Sequence, residues 1–204
     1  TSIRSYFGHK RHDAVDEDLL RGWLFAVPAG ALLASAAAAY MSSGMLRAVF
    51  AVVCILIALK LLLGKDSWRL GKELPGNPLK ALVGTAIGFL STLMGIGGGV
   101  LNNTFMTAYG RPIHQAVATS AGIGMLIAIP GFLGYIWAGW GQAGLPPFST
   151  GYVNWLAVAL LIPMSIIVTP YGVKTAHALP KRRLELLLGA YLVFVAARFG
   201  WSLL

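Results

Sequence analysis

The stretch STLMGIGGGVLNNT, residues 91–104, decides how this chain is built. It lies within an apolar segment, Leu79 to Tyr109, that is 31 residues long. As one straight helix that segment would run about 46 Å, well beyond the roughly 30 Å of a bilayer's hydrocarbon core. Gly95, Gly97, Gly98 and Gly99 crowd its middle. Each glycine in a helix interior costs about 1 kcal/mol relative to alanine, so the helix is expected to break there. The break leaves arms of roughly 11 and 10 residues in the apolar zone, each about half a bilayer long.

Working outward, the whole chain has the composition of a membrane protein. Of its 204 residues, 57% are hydrophobic and 11% charged, with a mean hydropathy of +0.72. From Pro112 to Val173, 62 consecutive residues lack Asp, Glu, Lys and Arg. No water-facing surface can be built from such a run. Five ordinary spans are expected beside the broken segment: Leu19–Tyr40, Met45–Gly64, Gln115–Trp137, Val153–Val173 and Leu184–Leu204. The fold class is therefore an all-α, polytopic membrane protein with the lipid bilayer as its principal partner.

The net charge of +9 does not point to nucleic acid, because the 16 Lys and Arg residues sit in short segments between apolar runs, where they encode orientation. If residues 79–109 enter and return as a hairpin, 14 basic residues share one side and only Arg47 and Arg198 fall on the other. If the segment crosses, the division is 10 to 6. The positive-inside rule prefers the re-entrant hairpin, with the basic loops cytoplasmic. Tyr135, Trp137, Trp140, Phe148, Tyr152 and Trp155 then flank an uncharged outer loop, Ala138–Tyr152, whose GWGQAGLPPFSTG reads as turns.

This reading divides the chain into a polar cytoplasmic head (1–18), a helix pair (19–64), a cytoplasmic loop (65–78) and a larger unit (79–204). The residues around Pro28 resemble those around Pro163 at an offset of 135. Under the hairpin topology the two copies run in opposite directions, the pattern of inverted-repeat transporters.

Irregular backbone at membrane depth is tolerated where it is buried in protein or lines a wet cavity. After the break a new half-helix begins, and its unpaired N–H groups carry partial positive charge. Such a terminus is suited to an anion. Asn102, Asn103 and Thr104 add polar side chains on its first turns, and Ser91 and Thr92 lie just before the break. Gln115, Thr119 and Ser120 open the next span, its two adjacent hydroxyls serving either a substrate oxygen or a backbone carbonyl. The competing explanation is that the glycines only permit close packing, as in the Gly84/Gly88 pair. No Lys-Ser or Lys-Thr follows the glycines, so this is not a P-loop.

The acidic residues fall in the head, a loop or the start of the last span, which disfavours a cation site or proton relay. His9 and His12 in the head do not make a metal site, and His114 and His177 lie at interfaces. Cys54 is the single cysteine, so neither a disulfide nor a thiolate metal site is expected. No nucleophile and base, and no paired carboxylates, are assembled; neither an enzyme nor a cofactor is expected. The polar opening does not read as a signal peptide.

The residues 88–99, GFLSTLMGIGGG, followed by AVATS at 116–120, resemble the sulfite exporter TauE/SafE family of membrane permeases. The likeness covers about 79–204, with 1–64 similar to the tail of a first copy. It implies two copies of a glycine-rich unit and transport of small sulfur-containing anions, such as sulfite or sulfonates, across a bacterial inner membrane. It places Gly97, Gly98, Gly99, Thr119 and Ser120 on motif positions. The family commonly has a proline a few residues after the glycines, where this chain has Asn102-Asn103-Thr104. The first copy's glycine segment is not among these residues, and an N-terminal portion is expected before Thr1.

The expectation is thus a secondary transporter of a small anionic solute, bound by Gly97, Gly98, Gly99, Asn102, Asn103, Thr119, Ser120 and Ser91. The alternative is a truncated membrane protein that only packs or associates. On the first reading, Gly98→Leu blocks the exposed amides.

Overall fold

A computed structural model describes Tyr6 and residues 15–63, 71, 73–178 and 181–201. His9 and His12, most of the expected head, and most of the 65–78 loop lie outside the described residues, as does the side chain of His177. The described chain is mostly helical: α1 (Glu17–Gly22), α2 (Ala26–Tyr40), α3 (Ser43–Leu63), α4 (Asn77–Met94), α5 (Gly99–Ala108), α6 (Ile113–Ala138), α7 (Trp155–Ala178) and α8 (Lys181–Trp201). Two short strands, β1 (Ser149–Thr150) and β2 (Val153–Asn154), pair where the sequence read only turns. Among the described residues, α3 and α6 are long and apolar enough to cross a membrane, and Ala26–Tyr40 and Trp155–Val168 are shorter apolar helices.

The expected first span is not continuous. α1 stops at Gly22 and α2 starts at Ala26. Pro28 has no N–H to give the Leu24 carbonyl, and it is accepted in the first turn of α2, where Val27 N still reaches Trp23 O (3.1 Å) and Ala29 N reaches Phe25 O (3.0 Å). Between the helices the chain tightens: Trp23 N is shared between the carbonyls of Leu19 (3.1 Å) and Leu20 (3.2 Å), and Leu24 N reaches back three residues to Arg21 O at 3.2 Å.

Two compact units are present. One comprises residues 1–40, 67–145 and 150–153 and holds α1, α2, α4, α5 and α6. Its core is Leu19, Trp23, Val27, Ile87, Met106, Ala116, Ile123 and Ile127. α2 and α4 meet almost backbone to backbone: a Cβ on Gly88 would stand 2.2 Å from the Val27 carbonyl oxygen, and one on Gly30 would collide with the Thr85 carbonyl. Close packing is therefore the work of Gly30, Gly84 and Gly88. The later run of glycines has another role.

That run turns the chain. α4 ends at Met94, Gly95 takes a left-handed φ of 67°, and α5 starts after Gly98, whose φ is 75°. Ile96 N donates to Ser91 O and Gly95 N to Thr92 O, both at 3.2 Å. This pair of bonds closes the helix as a Schellman motif, which glycine favours because a Cβ is strained in that conformation. The arms are unequal: α4 has 18 residues and α5 has 10, so the first is longer than the half-bilayer arm expected.

After the break the chain doubles back. Trp23 donates from Nε1 to Lys80 O (2.7 Å), lies against Gly84, and stacks at 5.4 Å on Phe105, joining the start of α4 to the end of α5. Gly71, before α4, lies against the Tyr109 ring at the end of α5. Lys80 donates to Asp18 O, and Arg111 stands 3.9 Å from Asp16. Both ends of the 79–109 segment therefore lie beside the same short helix.

The other unit comprises residues 41–66, 146–149 and 154–204. α3 packs on α8 through Phe50 and Phe199, with ring centroids 5.0 Å apart, and through Leu62 over Gly189. Arg182 donates to the carbonyls of Leu61 (2.9 Å) and Leu62 (2.7 Å), closing the C-terminus of α3, where orphan carbonyls and the helix dipole favour a cation. In α7, Leu156, Leu160, Leu161, Ile162, Met164, Ile166, Ile167 and Val168 are exposed. A continuous apolar face of this kind suits lipid or protein, not water.

Candidate functional site: a broken helix against the middle of α6

α5 begins without a side-chain cap, at a glycine. The first bond into the helix is Asn102 N to Gly98 O at 3.0 Å. The amides of Gly99, Val100 and Leu101 precede it, and in a helix such groups have no partner from their own backbone ladder. Gly98 is buried: a Cβ there would stand 2.6 Å from Ile127 Cδ1 and 3.2 Å from Ile123 Cγ2. Those isoleucines flank the centre of the 26-residue α6. Gly97 is exposed, and Cβ positions on Gly97 and Gly99 meet nothing within 4 Å. The expected cradle is therefore half sealed. Gly98 faces protein, and the open positions are its two neighbours. A leucine at 98 would strike Ile127 and strain the backbone before it obstructed any amide.

Asn102, Asn103 and Ser120 are brought together. Asn102 Nδ2 donates to Ser120 Oγ at 2.7 Å, and Ser120 Oγ donates onward to Asn103 Oδ1 at 2.7 Å. Asn102 Nδ2 also lies 3.4 Å from the Ala116 carbonyl, which can only accept and so fixes the orientation of the carboxamide. Asn102 is fully buried, and its Oδ1 has no partner. Ser91 Oγ is also buried and unpartnered, 3.6 Å from where a Gly98 Cβ would sit. Thr92 Oγ1 is the third such atom, close to Gly131. Buried polar atoms are nearly always satisfied, so three orphans on this hairpin mark places for water or a ligand.

Thr119 is not part of this group. Its hydroxyl accepts the Asp16 amide at 2.9 Å and fastens α1 to α6. Asp16, which the sequence places in the polar head, is buried, and its Oδ1 caps Leu19 N at 3.0 Å. An aspartate two residues ahead of an apolar helical run is a legible cap signal. Tyr135, read as a belt residue, instead donates from its hydroxyl to Thr92 O at 3.1 Å, the carbonyl that also takes the Gly95 amide. No spacing in the sequence pairs residues 43 apart, so this contact was hidden. Among the described residues no group of His, Cys, Asp and Glu is placed to hold a metal ion.

A glycine-broken helix pair thus packs on a long apolar helix, with orphaned polar atoms at its bend. The chain belongs to the sulfite exporter TauE/SafE family, whose family model matches residues 1–199. It is 34% identical over 150 residues to a protein of Haemophilus influenzae named a probable membrane transporter protein, covering 72% of this chain and 56% of that one. It is 32% identical over 112 residues to a protein of Methanocaldococcus jannaschii with the same description, covering 54% and 40%. The chain thus spans about half the length of the curated relatives it matches. No solved structure matches it.

Proposed function

We propose that this chain forms the substrate-carrying part of a secondary transporter for a small anion, sulfite or an organosulfonate, in a bacterial inner membrane. The observation that carries the reading is the start of α5. The first amides of α5, which have no partner in the helix's own ladder, lie level with the middle of α6, with open space at Gly99 and an orphaned Ser91 hydroxyl nearby. Helix N-termini attract anions, and at membrane depth they act in low dielectric, where their partial charge is felt most.

In this reading residues 77–108 form a re-entrant hairpin entered from the cytoplasmic side, beside five crossing helices. The nearness of Lys80 to Asp18 and of Arg111 to Asp16 supports it, because a segment that crossed would leave its ends a bilayer apart. Residues 19–64 are the tail of one repeat and 79–204 a second, with opposite orientations. Pro28 in α2 and Pro163 in α7 support this, since each sits on the first of two helices that follow one another in sequence after a short connection. Transport follows from rocking of the repeats around a fixed central site.

The test is uptake of labelled sulfite and of a sulfonate into vesicles containing the purified protein. Flux that saturates and exceeds that of empty liposomes supports the reading. Flux equal to theirs, from correctly inserted protein, favours a non-transporting membrane protein that only packs or associates.

A further inference from the structure

The polar groups at the bend are not all of the kind an anion wants. The amides of Gly99, Val100 and Leu101 are donors, and the hydroxyls of Ser91 and Thr92 can donate or accept. Asn102 Oδ1 can only accept. Its carboxamide nitrogen is turned to α6 by Ser120 and by the Ala116 carbonyl, so the oxygen lies at the other end of the group, buried and without a partner. Exchanging oxygen and nitrogen would set the oxygen against the Ala116 carbonyl, acceptor to acceptor. Asn102 stands in the first turns of α5, and its nitrogen also lies 3.4 Å from Met106 Sδ, one turn further on, so the oxygen at the other end of the group is turned toward the side of the helix's first amides. A bare oxyanion leaves this acceptor unsatisfied, and a ligand carrying an O–H or N–H satisfies it.

Charge points the same way. No Asp, Glu, Lys or Arg occurs between Lys80 and Arg111, and both of those cations are held at the α1 end, by Asp18 and Asp16. The bend holds the positive end of α5, about half a unit, beside the negative end of α4, whose last carbonyls the Gly95 and Ile96 amides close. That suits a monoanion, and two full charges buried there would lack a counter-charge.

Resting on the anion-site reading above, we infer that the bend selects monoanions that bring their own hydrogen-bond donor, and that Asn102 Oδ1 is the atom that reads the donor. Hydrogensulfite and hydroxyl- or ammonium-bearing sulfonates belong to this class; the sulfite dianion and plain alkanesulfonates do not.

The experiment is binding to the purified full chain in detergent, by calorimetry, using hydroxymethanesulfonate and methanesulfonate. These are monoanions of similar size that differ by one hydroxyl. Hydroxymethanesulfonate is expected to bind roughly tenfold more tightly, the effect of satisfying one buried acceptor. Asn102→Leu, which keeps the side-chain volume and removes the acceptor, should bring the two affinities together. Thr107→Val serves as a second variant, since it removes a hydroxyl bonded to carbonyls of its own helix and leaves Asn102 Oδ1 in place, and it should preserve the preference. Equal affinity of the two probes for the unaltered protein overturns the inference and leaves the anion site standing. A preference that survives Asn102→Leu in folded protein overturns the assignment to that atom. Binding of neither probe, nor of sulfite, overturns the anion site and this inference with it.

Discussion

The Ser120 hydroxyl donates to Asn103 Oδ1 at 2.7 Å, and this bond ties the returning arm of the hairpin to the long helix α6. Ser120 Oγ also accepts from Asn102 Nδ2, so one small side chain holds two consecutive residues of α5. Ser120→Ala removes both bonds, leaving buried Asn102 Nδ2 with only longer contacts, such as that to the Ala116 carbonyl, and half-buried Asn103 without this donor. Unsatisfied buried groups cost about 1–3 kcal/mol each, so a clear fall in the melting temperature of the detergent-solubilised protein is expected. Ser120→Thr keeps the hydroxyl and should retain most of that stability. An alanine variant as stable as the parent would show that the relay contributes nothing.

Gly98 and Gly99 make a matched pair for separating structure from ligand binding. Alanine at 98 must adopt φ near 75° and push Ile127 aside, since its Cβ would stand 2.6 Å from Cδ1. A left-handed alanine alone costs about 1–2 kcal/mol. Gly99 has ordinary helical geometry and meets nothing within 4 Å, so valine fits there without strain but covers the amides that follow. Gly98→Ala should therefore lower thermal stability, whereas Gly99→Val should leave it nearly unchanged and weaken sulfite binding by about tenfold or more, as expected when helix-terminal donors are blocked. Unaltered binding by Gly99→Val would remove the helix terminus from the site.

The hairpin topology makes a prediction about sides. In a Cys54→Ser background, single cysteines replacing Lys80 and Arg111 should both react with a membrane-impermeant maleimide from the cytoplasmic face. A cysteine at the exposed Gln142, in the loop after α6, should react from the opposite face. A segment that crosses the bilayer would put positions 80 and 111 on opposite sides.

Much of this arrangement was legible in the residues themselves. Backbone preferences are local, and so the glycines at 95–99 announced the break without any knowledge of the fold. Charge counts are sums over loops, and they favour the return proposed above for residues 79–109. The division of the first helix at residues 23–25 was less legible, because the uniform hydrophobicity around it reads as one span. What stayed hidden depends on which face of a helix meets which neighbour. Thr119 and Ser120 are adjacent in sequence, yet about 100° apart around the helix axis. One therefore meets Asp16 and the other the asparagines. Periodicity could not tell them apart, because α6 is apolar on nearly every side and offers no polar face from which to set a register.

The α2–α4 crossing yields the sharpest stability contrast. A Cβ on Gly88 would lie 2.2 Å from the Val27 carbonyl oxygen, which is backbone and cannot swing away. Gly88→Ala must therefore separate the two helices, opening the packing of Val27 and Ile87, both buried in the core. Overpacking of this kind costs about 1–3 kcal/mol or more, because the strain is shared by a whole helix face. Gly76, by contrast, caps α4 with open space around its Cβ position, so Gly76→Ala should cost under about 1 kcal/mol. The two variants make the same chemical change on or beside the same helix. Comparing their melting temperatures in one detergent isolates the close approach, and a loss at 88 no greater than that at 76 would mean the helices are not held backbone to backbone.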